Sequence, residues 1–392
     1  MDFQLNDEQR QLSDSLERLL NQQYGSDQRK AVIESDSGFS PAFWSRLADL
    51  GILSLPVSEA GGGFGGGAVD LMRPMTLLGQ ALVVEPVLAQ LVALRLLDQT
   101  AAATGSAADR PRVTEVLQQA MTGERRLAWA AAAPGAAKDL VATATDDGWE
   151  VSGTVAGVIG ALGAQDLLVT AALSGDTAGG GTGPAVREVG LFLLPADTPS
   201  LNRHGGRALD NQRIADVSFD KVALAQGQLL ARGATASGAI EDAADFASAL
   251  ICSEAVGVID FSCQATLEYL KTRKQFGTTI GSFQALQHRI VDLHVELEQV
   301  RSMAALACSK YDAASSGQVP ALERTKAIAA ARVLIARAAT KVAQESVQLH
   351  GGMGMAEEMK ISHAFRRLTV LAQQSGNHGY FLDRFITADR QL

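Results

Sequence analysis

Apolar positions in the first 125 residues recur at helical spacing. Leu12, Leu16, Leu19 and Leu20 form one stripe, opened by Asn6 and Gln9 at the separation of a capping box. Ser40 and Pro41 read as an N-cap and first helical residue, starting a helix over Ala42 to Leu50. The glycine run Gly61 to Gly67 interrupts the pattern, and a helix resumes from about Val69 to Ala81, disturbed by Pro74. Near residue 126 the period changes. Leu140 to Thr145 and Trp149 to Ser152 predict a β-hairpin turning at Asp147-Gly148. Leu167 to Leu173, Val189 to Leu194 and Asp216 to Val222 are further strand candidates, and Gly179 to Gly183 reads as an exposed loop. From about residue 235 the helical period returns. Leu286, Ile290, Leu293, Leu297, Val300, Ala304 and Ala307 step by four and three, the seam of a helix bundle. Ser315 to Pro320 breaks that bundle before a helix that reaches about Leu349. The expected fold is mainly α with a β middle: a helical domain over 1–125, a small barrel or sandwich over 126–232, and a helical bundle over 233–392.

Composition narrows the class. With 47% hydrophobic and 20% charged residues in 392, the chain can build a large core and does not have a disordered composition. Its net charge of −9 gives no electrostatic footprint for nucleic acid, so a small anionic ligand needs a local basic patch, for which Lys271, Arg273 and Lys274 are candidates. Cys252, Cys263 and Cys308 have no metal-ligand spacing and cannot all pair, which fits a reducing compartment. Met1-Asp2-Phe3-Gln4 does not read as a signal peptide, and no apolar run reads as a membrane span. The expectation is a cytoplasmic protein without nucleic-acid or membrane partners.

Gly61 to Gly66 satisfies G-x-G-x-x-G, with Glu85 near the place of a ribose-binding acid. No alternating strand and helix units surround it, so a dinucleotide fold is not expected there. Adjacent Glu357 and Glu358 read as a solvated face or an acidic helix start rather than a paired carboxylate site.

Two segments carry more specific chemistry. Tyr269 to Gly277 reads Y-L-K-T-R-K-Q-F-G, with F-Q-A-L-Q-H-R following at Phe283 to Arg289; Gln348 to Met355 reads Q-L-H-G-G-M-G-M. Basic residues near a helix end also favour its dipole, so Arg273 has a purely structural explanation beside a ligand-binding one. Taken together the segments resemble the C-terminal domain of the acyl-CoA dehydrogenase family, and the likeness covers essentially the whole chain, from the Asp2-Phe3 opening through Arg366. The resemblance implies that family's three-domain fold, with an N-terminal α domain, a middle β-barrel and a C-terminal four-helix bundle. It further implies FAD as cofactor, an acyl-CoA substrate, a dimer or tetramer, and electron-transferring flavoprotein as acceptor. In that family the arginine pairs with FAD pyrophosphate, the glutamine and glycine pair approach the adenosine, and the FAD belongs to the neighbouring subunit. Arg273, Gln275, Phe276, Gln284, Gln348, Gly351 and Gly352 are thereby expected to bind a partner's FAD.

Other positions depart from the family. Its flavin-contacting T-E-P-G-A-G-S-D-like segment corresponds to Ala132 through Asp139, so the threonine hydroxyl is replaced by Ala132. Its W-I-T segment falls near Gly157-Val158-Ile159, without an aromatic platform. The catalytic glutamate position lands on Ser375, and the alternative position used by some members lands on Ala247, followed by Ser248. No catalytic residue is therefore assigned; Asp245, matching a substrate-contacting acid, and His378 are the remaining local candidates for a base. The chain most resembles the small, non-catalytic subunit of pimeloyl-CoA-dehydrogenase-type or heteromeric steroid-side-chain enzymes. That implies a homologous catalytic subunit as partner, in an α₂β₂-type assembly. A homo-oligomeric enzyme with an unconventional base and a non-redox scaffold or ligand-binding protein are the alternatives.

Overall fold

The computed structural model describes residues 5–101, 110–132, 140–174 and 188–391. Its helices begin with α1 (Asp7–Gln23), α2 (Ser26–Glu34), α3 (Pro41–Asp49), α4 (Ala68–Ala81), α5 (Val87–Ala101) and α6 (Arg110–Met121). Strands β1 (Leu127–Ala130), β2 (Val141–Thr145), β3 (Gly148–Ile159), β4 (Asp166–Ser174), β5 (Val189–Pro195), β6 (Leu201–Arg207), β7 (Arg213–Ala225) and β8 (Leu229–Arg232) follow. The remainder is α7 (Gly233–Thr272), a minimal hairpin of β9 (Lys274–Gln275) and β10 (Thr278–Thr279), then α8 (Gln284–Ser315), α9 (Ala321–His350), α10 (Lys360–Leu371) and α11 (His378–Asp389). Helices before and after a central sheet are the expected fold class. Two compact units divide the chain: Ile33–Gly66 with Glu85–Ala244, and Met1–Val32 with Gly67–Val84 and Asp245–Leu392.

The first of these units contains the sheet, ordered β6-β7-β3-β2-β4-β5-β8, with β1 parallel to β4. Alternate residues turn inward, so Trp149, Val151, Val169, Phe192, Val217 and Phe219 share one apolar core. The expected hairpin is β2–β3, but Thr145 pairs with Gly148 and the turn is Asp146-Asp147, one residue earlier than the sequence indicated. Gly148 lies at φ +155°, where an added Cβ would strike the Leu224 carbonyl, so this glycine serves the crossing with β7 rather than the turn. In the glycine loop, Gly63 likewise approaches the Val57 carbonyl too closely for a side chain. Asp98 accepts from the Ser58 amide and hydroxyl at 2.9 and 3.0 Å, and buried Glu85 accepts from the Ser40 amide at 3.3 Å. These groups are engaged by the chain itself.

The other unit is helical apart from the small hairpin. The capping box forms as expected: Asn6 accepts from the Gln9 amide at 2.8 Å and Gln9 returns the bond at 2.9 Å. Helix α4 runs through Pro74 without a break, contrary to the sequence expectation. Its orphan N-terminal amides at Ala68 and Val69 donate to Asp312 at 2.7 and 2.9 Å. A Cβ at Gly257 of α7 would collide with the Thr76 carbonyl of α4, so the two backbones touch there. Helix α7 also corrects the reading of apolar runs: by length and composition it could cross a membrane, with a window of mean hydropathy 1.5. That window is 94% buried within the protein, so its apolar surface serves the core. Helices α8 and α9 form an antiparallel pair pinned by Arg289–Glu345 at 2.6 Å, Lys341–Glu296 at 2.7 Å and Lys310–Glu323 at 2.8 Å. The pairing places the start of α8 beside the end of α9.

Candidate functional site

Both motif segments emerge from helix ends in the helical unit. The Arg273 amide donates to Tyr269 at 2.8 Å, extending α7 by one bond, and the Ile280 amide returns to the Arg273 carbonyl at 2.9 Å. Between them β9 and β10 are joined by Phe276 and Gly277 at φ 55° and 78°, both left-handed as a two-residue hairpin demands. Gly277 accepts this conformation freely, whereas Phe276 is strained by about 1–2 kcal/mol. Phe276 is nonetheless 89% exposed, edge-on to Phe283 at 6.2 Å. Arg273 is also exposed, and its guanidinium has no acceptor among the described residues, while nearby Lys271 pairs with Glu268 at 2.8 Å. Gln275, Gln284 and Gln348 are exposed as well.

The glycines after α9 have separate reasons. Gly351 terminates the helix at φ 62° and ψ −145°, a conformation essentially restricted to glycine. A Cβ on Gly354 would sit 2.7 Å from the Val347 carbonyl, so that glycine is needed for packing. Gly352 has neither reason, since an added Cβ would meet nothing within 4 Å. The two segments meet through Tyr269 and His350, whose rings stack with centroids 4.4 Å apart. An unpaired guanidinium, exposed amide side chains and an open glycine backbone form a donor set suited to a pyrophosphate and its nucleoside. Replacing Phe276 with glycine is expected to stabilise the isolated chain by about 1 kcal/mol while weakening FAD retention in the assembly. Urea unfolding and flavin absorbance after gel filtration measure the two effects; a destabilised variant would show that the turn is not strained.

The positions that the resemblance sets against the flavin lie in the sheet unit and supply less. Ala132 is half-buried and carries no hydroxyl; residues 133–139 of that segment lie outside the described residues, as does Gly179 to Gly183. Gly157 stands at φ 66° in an irregularity of β3, its amide donating to Asp216 at 2.8 Å. Val158 is buried in the sheet core and Ile159 is half-buried. No residue of this trio offers a ring to stack or a hydroxyl to donate.

At the base position, exposed Ser375 adopts φ 60° between α10 and α11. The turn is held from below by fully buried Arg332, which donates to the Leu371 and Gln374 carbonyls at 3.2 and 2.5 Å and lies over Phe381 at 4.8 Å. Sequence reading missed this residue, whose one signal is a charge on the apolar stripe of α9. Asp245 departs from the substrate-contacting role that the resemblance implied. It is 0% exposed and bound by Arg324 at 2.8 Å and Arg384 at 2.5 Å, an internal ion cluster that keeps its carboxylate from ligand. Ala247 and Ser248 are buried beside it on α7. His378 opens α11 and edges a groove of about 670 Å³ shared with Arg337, Lys341, Gln344 and Asn377. Glu357 pairs with Arg366 at 2.8 Å in the turn before α10, so the acidic dipeptide has a structural partner. Burial pushes the Cys252 thiol up to about 11 and Cys263 to about 12, which removes them as nucleophiles near neutrality.

Two histidines are held neutral. Burial lowers the pKa of His350 below its ordinary 6.5; its Nδ1–H donates to the Ser346 carbonyl at 2.8 Å. His363 is lowered first by burial, with Arg29 and Arg366 adding repulsion; its Nε2–H donates to the Glu357 carbonyl and Nδ1 accepts from Arg366 at 3.2 Å. A protonated His363 could not accept that bond. The unfolded chain therefore binds more protons than the folded one below pH 6.5. Their stabilisation is complete above that value and is lost as the pH falls through the lowered folded values. Unfolding midpoints from pH 7.5 to 5 should fall, and replacing both residues with glutamine should flatten the slope across that range; an unchanged slope would contradict the assignment.

Comparison with known proteins identifies the family. Residues 6–119 match the acyl-CoA dehydrogenase N-terminal domain and residues 238–384 the acyl-CoA dehydrogenase C-terminal domain. The acyl-CoA dehydrogenase IpdE2 of Mycobacterium tuberculosis is 27% identical, over 94% of this chain and 92% of its own length. Among solved structures, a variant of the Tcur3481-Tcur3483 steroid ACAD superposes with a TM-score of 0.82 at 26% identity, over 98% of both chains. PigA with FAD and proline gives 0.83 at 25% identity, over 99% of this chain and 98% of that one. The chain belongs to the acyl-CoA dehydrogenase family, whose cofactor is FAD.

Proposed function

We propose that this chain is the accessory subunit of a heteromeric acyl-CoA dehydrogenase, with domains over 1–125, 126–232 and 233–392. It lends the ADP-binding half of the FAD site to a homologous catalytic subunit, and its own base is lost. The observation that carries this reading is Gly352, a glycine that neither its own backbone conformation nor any neighbour among the described residues requires, together with Arg273, whose guanidinium has no acceptor among the described residues. Arg273 would face the pyrophosphate, Gln275, Phe276 and Gln284 would line its approach, and Gln348, Gly351 and Gly352 would admit the adenosine. FAD held by these residues would supply the acceptor for the hydride leaving the acyl β-carbon. Removal of the α-proton needs a base that Ser375 and Ala247 cannot supply, so the partner contributes it. The two-protein name of the Tcur3481-Tcur3483 relative supports a heteromeric assembly.

The test is co-expression with family members that carry a carboxylate at the base position, followed by assay of acyl-CoA oxidation. The pair should be active and the chain alone inactive. Robust oxidation by the chain alone would favour a homo-oligomeric enzyme, with His378 as the first residue to replace.

A further inference from the structure

The segments bearing Arg273 and Gly351-Gly352 lie far apart in the chain, so something must set their separation. Tyr269 is one helical turn before Arg273, and its carbonyl accepts the Arg273 amide at 2.8 Å. His350 immediately precedes Gly351. The two rings stack at 4.4 Å and 25° between planes, in the arrangement of an aromatic pair. His350 is 4% exposed, and its Nδ1–H bond to the Ser346 carbonyl fixes the ring's rotation about α9. On another side Gly354 closes in, where an added Cβ would lie 3.0 Å from the His350 Cβ. The His350 ring is thus held by its own helix, and both rings lie within one turn of a residue assigned to FAD.

We infer that Tyr269 and His350 form a positioning pair: their stack sets the separation of Arg273 from Gly351-Gly352 and so determines affinity for the ADP half of FAD. This rests on the reading above that these segments hold a partner's FAD. Neither ring needs to touch the cofactor. The stack removes the cost of bringing two independent donors to one spacing at the moment of binding, which is how preorganisation raises affinity.

FAD titration of the complex co-purified with its catalytic partner tests the pair. Tyr269→Phe keeps the stack and should bind FAD like the parent. Tyr269→Leu should raise Kd about three- to tenfold, the range set by the energy of an aromatic pair, while turnover at saturating FAD stays put. If Tyr269→Leu does not fold, His350→Gln, which can still donate to Ser346, should give the same loss. Wild-type affinity in the leucine or glutamine variant, or equal losses in the phenylalanine and leucine variants, would overturn the inference. If Arg273→Ala also leaves affinity unchanged, the assignment of the site itself fails, and the positioning role with it.

Discussion

Arg273→Ala should strip FAD from the assembled complex, raising its Kd about ten- to a hundredfold. A hydrogen bond to a charged group contributes about 1.5–3 kcal/mol, and at this exposed position no other described residue competes for the guanidinium. The side chain carries no ion pair within the described chain, so the substitution should leave folding of the isolated subunit and its assembly with the partner intact. Gel filtration reports assembly, and flavin fluorescence released on dilution reports Kd. Arg273→Lys should recover only part of the affinity, since an ammonium cannot offer the paired donors of a guanidinium. Unchanged flavin content in the alanine variant would instead favour a scaffold without a role at the cofactor.

Asp245→Ala should damage stability rather than chemistry. Removing this fully buried carboxylate leaves Arg324 and Arg384 facing one another without their shared anion. Breaking a buried pair from one side costs about 3–5 kcal/mol, most of it the penalty of the stranded charge. Urea unfolding should show that loss, or the variant should fail to accumulate as folded protein. A variant that folds normally but abolishes acyl-CoA oxidation by the complex would return Asp245 to the catalytic candidates.

These contrasts show where sequence was informative. The helical stripe from Leu286 to Ala307 and the caps at Asn6 and Ser40 were readable, because each depends on neighbours within a few residues. The strand β6 was not: Leu201–Arg207 is largely exposed, so no apolar alternation marks it. Strands β1 and β8 have four residues each, too short to establish a period. Helix α7 looked like an ordinary bundle helix, yet its composition passes for a membrane span, and burial by the rest of the protein decides between those readings. At the candidate site, the glycine and arginine motifs were visible as local strings. The Asp245 cluster, the Arg332 support under Ser375 and the Tyr269–His350 stack join residues distant in the chain, and nothing in the intervening sequence encodes those meetings.

Counting FAD per polypeptide in the purified native complex separates a lent half-site from a complete one. If this chain supplies only the ADP-facing half of its partner's site, the complex should carry one FAD for each pair of unlike chains. FAD bound in a one-to-one ratio with this chain as a homomer, together with acyl-CoA oxidation by that homomer, would contradict the proposed division of labour.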